Sequence, residues 1–349
     1  MMKHRFMKWL IGGAAALVAG TAAANVTITG AGATFPAPVY AKWAEAYKAA
    51  TGNTLNYQPI GSGGGVKQIT AKTVDFGATD DPMSGEDLQK AGLLQFPAVI
   101  GGVVPVFNLP NVKPGELKLT GAVLADIYRG AIKTWNDPQI AQLNPDVKLP
   151  RTAITLVYRS DSSGTTFVFT DYLAQVSPQF KSDLGAGKTV NWKTGVGGRG
   201  NAGVAANVMK IGGAIGYVEY AYAKQNKMTH AAMVNRDGNA VQPDEKTFAA
   251  AAERADWKAA PGFGANLNNQ PGANVWPITA ATFILVHRQP QNPQRVAEAL
   301  RFFDWAYKNG DKLALELDYV PMPDNVVQSV RESWKQVVGS DGKPVFRID

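Results

Sequence analysis

The segment FPAVIGGVVPVFN, residues 96–108, is a nearly continuous apolar run and one of two such runs that decide the fold. The other is VWPITAATFILV, residues 275–286. Both have the composition of apolar β-strands, and almost 180 residues separate their starts. If both strands cross between two lobes, the middle of the chain forms one lobe and its two ends form the other. The sequence therefore predicts lobe I at residues 25–99 plus 276–349 and lobe II at residues 100–275.

Around these two runs, short β-branched segments alternate with helical patterns, which is typical of an α/β protein with parallel strands. Large apolar side chains recur at helical spacing in four segments, and we interpret them as core positions of helices. These positions are Tyr40, Trp43, Ala44 and Tyr47; Phe169, Tyr172, Leu173 and Val176; Val296, Leu300, Phe303 and Tyr307; and Val326, Val330, Trp334 and Val337.

The N-terminus has the three parts of a secretory signal peptide. MMKHRFMK carries basic residues, WLIGGAAALVAG is a short apolar run, and TAAA supplies small residues for cleavage after Ala24. Glycines interrupt the apolar run, which is shorter than the roughly 20 residues that a membrane span needs. The chain has no cysteine that could be acylated. We therefore expect residues 1–24 to be removed and the rest to be a soluble periplasmic protein without a lipid anchor.

Composition excludes several kinds of chemistry. The chain has 349 residues, 45% of them apolar and 18% charged, as in ordinary globular proteins. Without the signal peptide, the formal charge falls from +7 to +4, which suits an anionic partner but does not identify one. With no cysteine, and only His230 and His287 after the signal peptide, zinc binding or a histidine relay has few candidate residues. We expect no metal, no cofactor and no nucleic-acid partner, and we interpret His287 as structural.

Four polar loops share one pattern, in which a strand-like run ends in Gly, Ser, Thr or Asp and a helical pattern follows. They are GAGATFPAP (residues 30–38), IGSGGGVKQ (60–68), GATDDPMSG (77–85) and RSDSSGTTF (159–167). In α/β proteins such strand-to-helix turns gather at the carboxyl ends of the strands, where ligands bind. The four loops are therefore expected to form one site.

Three of these loops present helix starts. Pro36 and Pro38 mark the first, so Thr34 and Phe35 would offer free backbone N–H groups where the helix dipole favours an anion. The other two starts lie at Ser62 and at Ser163, Gly164 and Thr165. Serine and threonine at helix starts are often only caps, but three such loops beside one arginine favour an oxyanion pocket.

Arg159 is the natural cation for that pocket, because a guanidinium pairs its donors with two oxygens of a phosphate. Residues two apart on an extended segment face the same side, so Asp161 can hold the Arg159 side chain in place. The alternative is a surface salt bridge, which would contribute little.

Asp80 is unusual in an anion site because a carboxylate repels anions unless the ligand brings a proton that it can share. Phosphate near neutral pH keeps at least one proton and sulfate keeps none, so an aspartate here would admit phosphate and penalise sulfate. The alternative is that Asp80 or Asp81 only caps the turn before Pro82.

Three other motifs are set aside. LGAGKT, residues 184–189, lacks the first glycine of a P-loop and no helical pattern follows it. GVGGRG, residues 195–200, contains GxGxxG, but we interpret it as a glycine-rich helix start or a loop over the cleft. The GxSxG elbow of hydrolases is absent at both Ser62 and Ser163.

The chain resembles the phosphate-binding protein of the phosphate-specific ABC importer, the PstS family, over nearly its whole length after the signal peptide. The resemblance lies in GAGATFPAPVYAKW, GGVKQI, TVDFGATD, QFPAVIGGVV, SGTTFVFTDYLA, GAIGYVEYAYAKQN, WPITAATFIL and FFDWAYK. It implies two α/β lobes joined by a two-strand hinge, as in type II-like periplasmic binding proteins. It also implies a non-catalytic monomer that delivers phosphate to an inner-membrane permease driven by a cytoplasmic ATPase.

Carried over by position, the family's phosphate contacts fall on Thr34, Phe35, Ser62, Asp80, Arg159, Ser163, Gly164 and Thr165, with Ala33 and Asp161 in support. Two alternatives stay open. One is an exported phosphatase or serine hydrolase that uses Ser163 or Ser62. The other is a binding protein for another oxyanion, such as sulfate, molybdate or a phosphonate.

Overall fold

The computed structural model describes residues 25–347. The predicted signal peptide, residues 1–24, lies outside the described residues. None of the helices within residues 25–347 is both long enough and apolar enough to cross a membrane.

The described residues form twelve strands and thirteen α-helices. The strands are β1 Thr27–Gly32, β2 Thr54–Pro59, β3 Phe76–Thr79, β4 Leu93–Phe107, β5 Lys118–Thr120, β6 Thr155–Arg159, β7 Val196–Gly198, β8 Ala214–Glu219, β9 Thr229–His230, β10 Ala232–Val234, β11 Ala240–Val241 and β12 Thr279–His287. The helices are α1 Ala37–Thr51, α2 Ser62–Thr70, α3 Gly85–Ala91, α4 Gly121–Arg129, α5 Pro138–Leu143, α6 Gly164–Val176, α7 Pro178–Asp183, α8 Gly200–Lys210, α9 Tyr220–Gln225, α10 Glu245–Ala252, α11 Pro293–Asn309, α12 Asp311–Leu315 and α13 Asp324–Ser333. Two 3₁₀ turns span Pro261–Phe263 and Trp334–Gln336.

Within the described part of the chain, one sheet has the strand order β2-β1-β3-β12-β4-β8-β6-β7, and β9 pairs with β4. The expected parallel pairing holds for β1 with β2 and β3, and for β6 with β7 and β8. The two long apolar strands differ, because β12 runs antiparallel to β3 and β4, and β4 runs antiparallel to β8. The sheet is therefore mixed, with parallel groups on either side of an antiparallel centre.

Strand β4 joins the two halves of this sheet. Residues 93–102 pair with β12, whereas residues 103–107 pair with β8. All its residues are buried, as expected for a strand packed on both faces. The α/β fold has two lobes, as predicted, and β4 changes its pairing partner between Gly102 and Val103. The lobe boundaries at 99/100 and 275/276 stay a prediction.

The predicted helical registers coincide with α1, α6, α11 and α13. Helix α1 packs on α11 through Tyr40 and Phe303, whose ring centroids are 5.9 Å apart, and through Tyr47 and Phe302, at 5.3 Å. Burial of each such side chain contributes roughly 1.5–3 kcal/mol. The register places Trp334 and Val337 on α13, but Trp334 begins the 3₁₀ turn that follows the helix and Val337 comes after that turn, which is a common way for a helix to end. Both residues are still buried.

The sheet positions the four loops that the sequence singled out. Strands β1, β2, β3 and β6 each end in one of these loops, and α1, α2, α3 and α6 follow them in turn. We call the loops after β1, β2 and β3 the first wall, residues 33–36, 60–62 and 80–84. We call residues 159–166 and 199–201, which precede or begin α6 and α8, the second wall.

Candidate functional site

The first wall begins with two backbone donors that have no partner among the described residues. Helix α1 starts at Ala37 behind Pro36, and among residues 25–347 neither the Thr34 N–H nor the Phe35 N–H has a hydrogen-bond partner. The loop itself is held firmly. The Ala33 N–H donates to the Ala78 carbonyl (3.0 Å), and the Tyr319 hydroxyl donates to the Phe35 carbonyl (2.6 Å). These two N–H groups are thus fixed where the helix dipole favours negative charge.

Ser62 is the first residue of α2 and is fully buried. Its Oγ accepts hydrogen bonds from the Asp80 N–H (3.2 Å) in the first wall and from the Gly164 N–H (3.1 Å) in the second. The preceding Gly61 has φ +93°, and a Cβ there would lie 2.4 Å from Asp161 Oδ2, so only glycine fits between Ser62 and the opposite wall.

Asp80 is buried, with 1% of its surface exposed. Its Oδ1 accepts a hydrogen bond from Thr282 Oγ1 (2.9 Å), and its Oδ2 lies 3.5 Å from Ser62 Oγ. Burial raises the pKa of Asp80 to about 7, although Thr282 and Arg159 act in the opposite direction. Asp80 does not cap the turn before Pro82. Its carboxyl instead faces the second wall and can hold or share a proton near neutral pH.

Arg159 and Asp161 form the ion pair that the sequence predicted. Arg159 Nε and Nη2 donate to the two carboxylate oxygens of Asp161, at 2.8 and 2.5 Å. The Asp161 Oδ1 also accepts from the Gly200 N–H (2.9 Å). Burial alone would raise the pKa of Asp161, but the hydrogen bonds and charge of Arg159 outweigh it and lower that pKa. Because Arg159 is only 5% exposed, this pair is not a surface salt bridge.

The start of α6 completes the second wall. Ser163 is a genuine cap, since its Oγ accepts from the Thr166 N–H (3.0 Å). The Gly164 N–H reaches Ser62, and Thr165 Oγ1 accepts from Arg159 Nη1 (3.3 Å). A Cβ on Gly164 would lie 2.3 Å from Ser62 Oγ and 2.6 Å from Asp80 Oδ2. The walls are therefore in direct contact, and only a residue without a side chain fits between them.

All the site residues predicted from the sequence come together around this contact: Thr34, Phe35, Ser62, Asp80, Arg159, Ser163, Gly164 and Thr165, with Ala33 and Asp161 beside them. The groups that they offer are mainly N–H and O–H donors, together with a guanidinium already paired to a carboxylate. Such an arrangement is suited to binding an oxyanion by hydrogen bonds and helix dipoles.

Sequence reasoning missed three buried partners. Asn201 contacts both Thr34 and Thr165, Thr282 holds Asp80, and the Tyr217 hydroxyl accepts from the Arg159 N–H (3.3 Å). Only Asn201 had a local signal, because it directly follows GVGGRG, which we interpreted as a helix start or a loop over the cleft. That segment indeed contains β7 and the first residue of α8.

Of the remaining motifs, LGAGKT contributes only at the edge of the site, where the Lys188 carbonyl accepts from the Ser163 N–H (2.9 Å). No helix follows LGAGKT, since residues 185–195 have neither helix nor strand. His287 is buried in β12, with Nε2 2.7 Å from the Ile69 carbonyl oxygen, which agrees with a structural role. Among residues 25–347, no cluster of three or more His, Asp or Glu residues could hold a metal ion.

Comparison with known proteins gives close relatives. Residues 18–309 match the family model described as the PBP superfamily domain. A protein of Pasteurella multocida (strain Pm70), named phosphate-binding protein PstS, is 56% identical over 322 residues, which are 92% of this chain and 94% of the relative. The protein of the same name from Haemophilus influenzae is 55% identical over 309 residues, 88% of this chain and 92% of the relative.

Solved structures share the fold at lower identity. A phosphate binding protein from Stenotrophomonas maltophilia superimposes with a TM-score of 0.63 and 21% sequence identity, covering 88% of this chain and 93% of that one. This similarity supports the two-lobe architecture described above.

Proposed function

Because the chain belongs to the PBP superfamily and, within it, to the PstS phosphate-binding proteins, we propose that it binds inorganic phosphate for import by an ABC transporter. The ligand lies between the two walls and is bound without being chemically changed. The residues that contact it are Thr34, Phe35, Ser62, Asp80, Arg159, Ser163, Gly164 and Thr165, with Ala33 and Asp161 in support.

The observation that carries this proposal is the combination of many donors with one buried acid. The free N–H groups of Thr34 and Phe35 and the start of α6 supply the donors. Asp161 already offsets the charge of Arg159. Asp80 is the group whose pKa, raised to about 7 by burial, suits a ligand that carries a proton. Inorganic phosphate has both properties, since it offers several acceptor oxygens and at least one P–OH group near neutral pH.

Binding proceeds by closure of the lobes. In the open state phosphate meets one wall, and closure adds the other wall and expels water. Each charge-assisted hydrogen bond contributes about 1.5–3 kcal/mol net. A few of them give micromolar affinity, about −8 kcal/mol, once the cost of ordering is subtracted. Release requires that contacts between the two lobes break, among them the Gly63 N–H bond to the Ser162 carbonyl (3.0 Å) and the Lys188–Asp81 ion pair.

Asp80 provides the selectivity in this mechanism. A protonated phosphate and the Asp80 carboxyl share one proton, so one accepts the hydrogen bond that the other donates. Sulfate brings no proton, and above the pKa of Asp80 two negative groups would face each other in a buried site. We therefore expect the site to discriminate against sulfate through this repulsion.

The family membership also supports a proposal for the partners and the location of the protein. The proposed partners are inner-membrane permease subunits with a cytoplasmic ATPase, to which the protein delivers phosphate as a periplasmic monomer. The relatives are named as binding proteins. The charge of the chain after the predicted cleavage, +4, is compatible with an anionic cargo.

The hydrolase alternative lacks a histidine base. Within the described part of the chain, the Ser62 and Ser163 hydroxyls have no hydrogen bond to a histidine, which is the usual base for a serine nucleophile. Incubation with a phosphate monoester tests this alternative. Turnover that disappears in Ser163→Ala or Ser62→Ala would replace the proposed binding role with catalysis.

Isothermal titration calorimetry tests the proposed function directly. The purified protein is freed of bound phosphate and titrated at pH 8 with phosphate and, separately, with sulfate. We expect phosphate to bind with micromolar or tighter affinity. Sulfate should bind at least about 100-fold more weakly, because one charge-assisted hydrogen bond is lost and repulsion is added. Equal affinity for both anions would overturn the proposal of a phosphate-selective site.

A further inference from the structure

Asn201 links the two walls without being one of the proposed ligand contacts. It is the second residue of α8 and is fully buried. Its Nδ2 donates to Thr34 Oγ1 (2.8 Å) in the first wall and to Thr165 Oγ1 (3.2 Å) in the second. One amide group therefore controls two hydroxyls that lie far apart in the sequence.

The orientation of the Asn201 amide is fixed by its other end. The Glu219 backbone N–H donates to Asn201 Oδ1 (2.9 Å). A backbone N–H can only donate, so the atom it meets must be the amide oxygen, and the NH₂ group must face the threonines. The Glu219 carboxylate in turn accepts from the Ala221 N–H (3.0 Å to each oxygen), which fixes the start of α9.

Counting lone pairs shows what this orientation does to the threonines. A hydroxyl has one hydrogen to donate and two lone pairs to accept with. Thr34 Oγ1 accepts from both the backbone N–H (3.2 Å) and the Nδ2 of Asn201. Thr165 Oγ1 accepts from Arg159 Nη1 and from Asn201 Nδ2. With both lone pairs occupied, each hydroxyl has only its hydrogen left to offer.

We propose that Asn201 is a positioning residue that makes the Thr34 and Thr165 hydroxyls obligatory donors toward the bound anion. This inference rests on the proposed function, because it takes an oxyanion to be the ligand. It adds a rule for the ligand's orientation. Neither threonine hydroxyl can accept a hydrogen bond from the P–OH group of phosphate, so the P–OH hydrogen must be directed at Asp80.

Asn201→Asp is the most direct test. The new carboxylate accepts hydrogen bonds from the two threonine hydroxyls and turns their hydrogens away from the ligand. Phosphate affinity at pH 8 should fall about 100-fold, since two hydrogen bonds to a charged ligand are lost and a negative charge is added. The loss should shrink at low pH as the new carboxyl takes up a proton.

Asn207→Asp is the matched control, because it adds the same charge to the same helix at a solvent-exposed hydrogen bond. It should bind phosphate like the unmodified protein.

A mutant cycle separates positioning from general structural support. Asn201→Ala should weaken phosphate binding about tenfold in the unmodified protein, as for one lost hydrogen bond to a charged group. It should have no further effect in Thr34→Val/Thr165→Val, where no hydroxyls remain to be oriented. An equal loss in both backgrounds, or an Asn201→Asp protein that binds as tightly as the Asn207→Asp control, would overturn the role of Asn201. Absence of phosphate binding by the unmodified protein would instead refute the proposed function.

Discussion

Two aspartates on opposite walls, Asp80 and Asp161, have opposite electrostatic roles. Asp161 accepts two hydrogen bonds from Arg159 and one from the Gly200 N–H, and its pKa is lowered because these bonds outweigh its burial. Asp80 receives hydroxyl hydrogen bonds at 2.9 and 3.5 Å from Thr282 and Ser62, and burial raises its pKa to about 7. The nearby cation, Arg159, is already paired with Asp161. One carboxylate is thus satisfied by the protein, and the other is left to interact with a proton.

This difference explains how a site with an arginine can still rely on neutral donors. Asp161 offsets the Arg159 charge, so an anion between the walls is stabilised largely by N–H and O–H dipoles held at fixed positions. In the proposed mechanism, Asp80 then discriminates between anions by their protons. Affinity and selectivity are therefore expected to depend on different residues and to be separable by mutation.

The largest expected effects are the opposite changes in stability that loss of each aspartate should cause in the ligand-free protein. Asp161→Asn leaves the buried Arg159 guanidinium without its counter-charge, and this should lower the free energy of unfolding by about 3 kcal/mol at pH 7. Because the pKa of Asp161 is lowered by folding, its contribution is present above about pH 4 and is lost as the pH falls through the folded value. The deficit should therefore shrink in acid. Urea unfolding at pH 7 and pH 3 measures it.

Asp80→Asn should act in the opposite direction. A pKa raised by folding contributes stability below about pH 4 that is lost as the pH rises to about 7. At pH 8 the charged Asp80 therefore opposes folding, and asparagine removes this cost, by up to about 4 kcal/mol at 1.4 kcal/mol for each pKa unit. The variant should be more stable than the unmodified protein at pH 8 and equal to it at pH 4. Destabilisation by both variants at pH 8 would contradict the contrast between the two aspartates.

Gly164→Ala tests the contact between the second wall, which carries Asp161, and Asp80 in the first wall. The added Cβ would lie 2.3 Å from Ser62 Oγ and 2.6 Å from Asp80 Oδ2, so the walls cannot close fully. Phosphate affinity should fall about 100-fold, from overpacking and the loss of closed-state hydrogen bonds. Gly212→Ala is the control, since nothing lies within 4 Å of a Cβ at that position. Equal binding by both variants would show that this contact is not required for closure.

Much of this site could be predicted because its key relations are local. Arg159 and Asp161 are two residues apart on an extended segment, and each loop carries its own strand ending and helix start. The partners that were missed depend on packing between distant segments. Thr282 is 202 residues from Asp80, and Asn201 is 167 residues from Thr34. Nothing in TFILV distinguishes a threonine that holds a carboxylate from one that merely favours a strand.

The fold shows the same limit. Apolar composition identified both long strands and spacing identified the main helices, since these depend on neighbours in the chain. Strand direction does not depend on neighbours in the chain. The antiparallel pairing of β4 with β12 and β8 is decided by how the chain returns to the sheet. The spacing of apolar residues also could not predict where α13 ends and the 3₁₀ turn begins, because Trp334 is buried in either geometry.

Asp80→Asn should also change selectivity. Removing the carboxylate removes its repulsion of sulfate, and the amide can donate a hydrogen bond to an unprotonated oxygen. The phosphate-to-sulfate affinity ratio at pH 8 should fall by about 30-fold, comparable to the worth of one charged hydrogen bond. Asp81→Asn removes the same charge one residue away, where Asp81 pairs with Lys188. That control should keep the ratio. An unchanged ratio in Asp80→Asn would mean that selectivity arises elsewhere in the site.

The smallest expected effect is the pH dependence of sulfate binding by the unmodified protein. Asp80, with a pKa of about 7, is mostly charged at pH 8 and mostly protonated at pH 6. The protonated carboxyl can donate to a sulfate oxygen, so sulfate affinity should rise by about tenfold over this range, in proportion to the protonated fraction of Asp80. Asp161 stays charged throughout, because its pKa is lowered, and cannot produce the same change.

Titrations with sulfate at pH 8, 7 and 6 should therefore show the rise in the unmodified protein and a flat response in Asp80→Asn. A rise of equal size in both proteins would assign the titrating proton to another group and remove Asp80 from the selectivity mechanism.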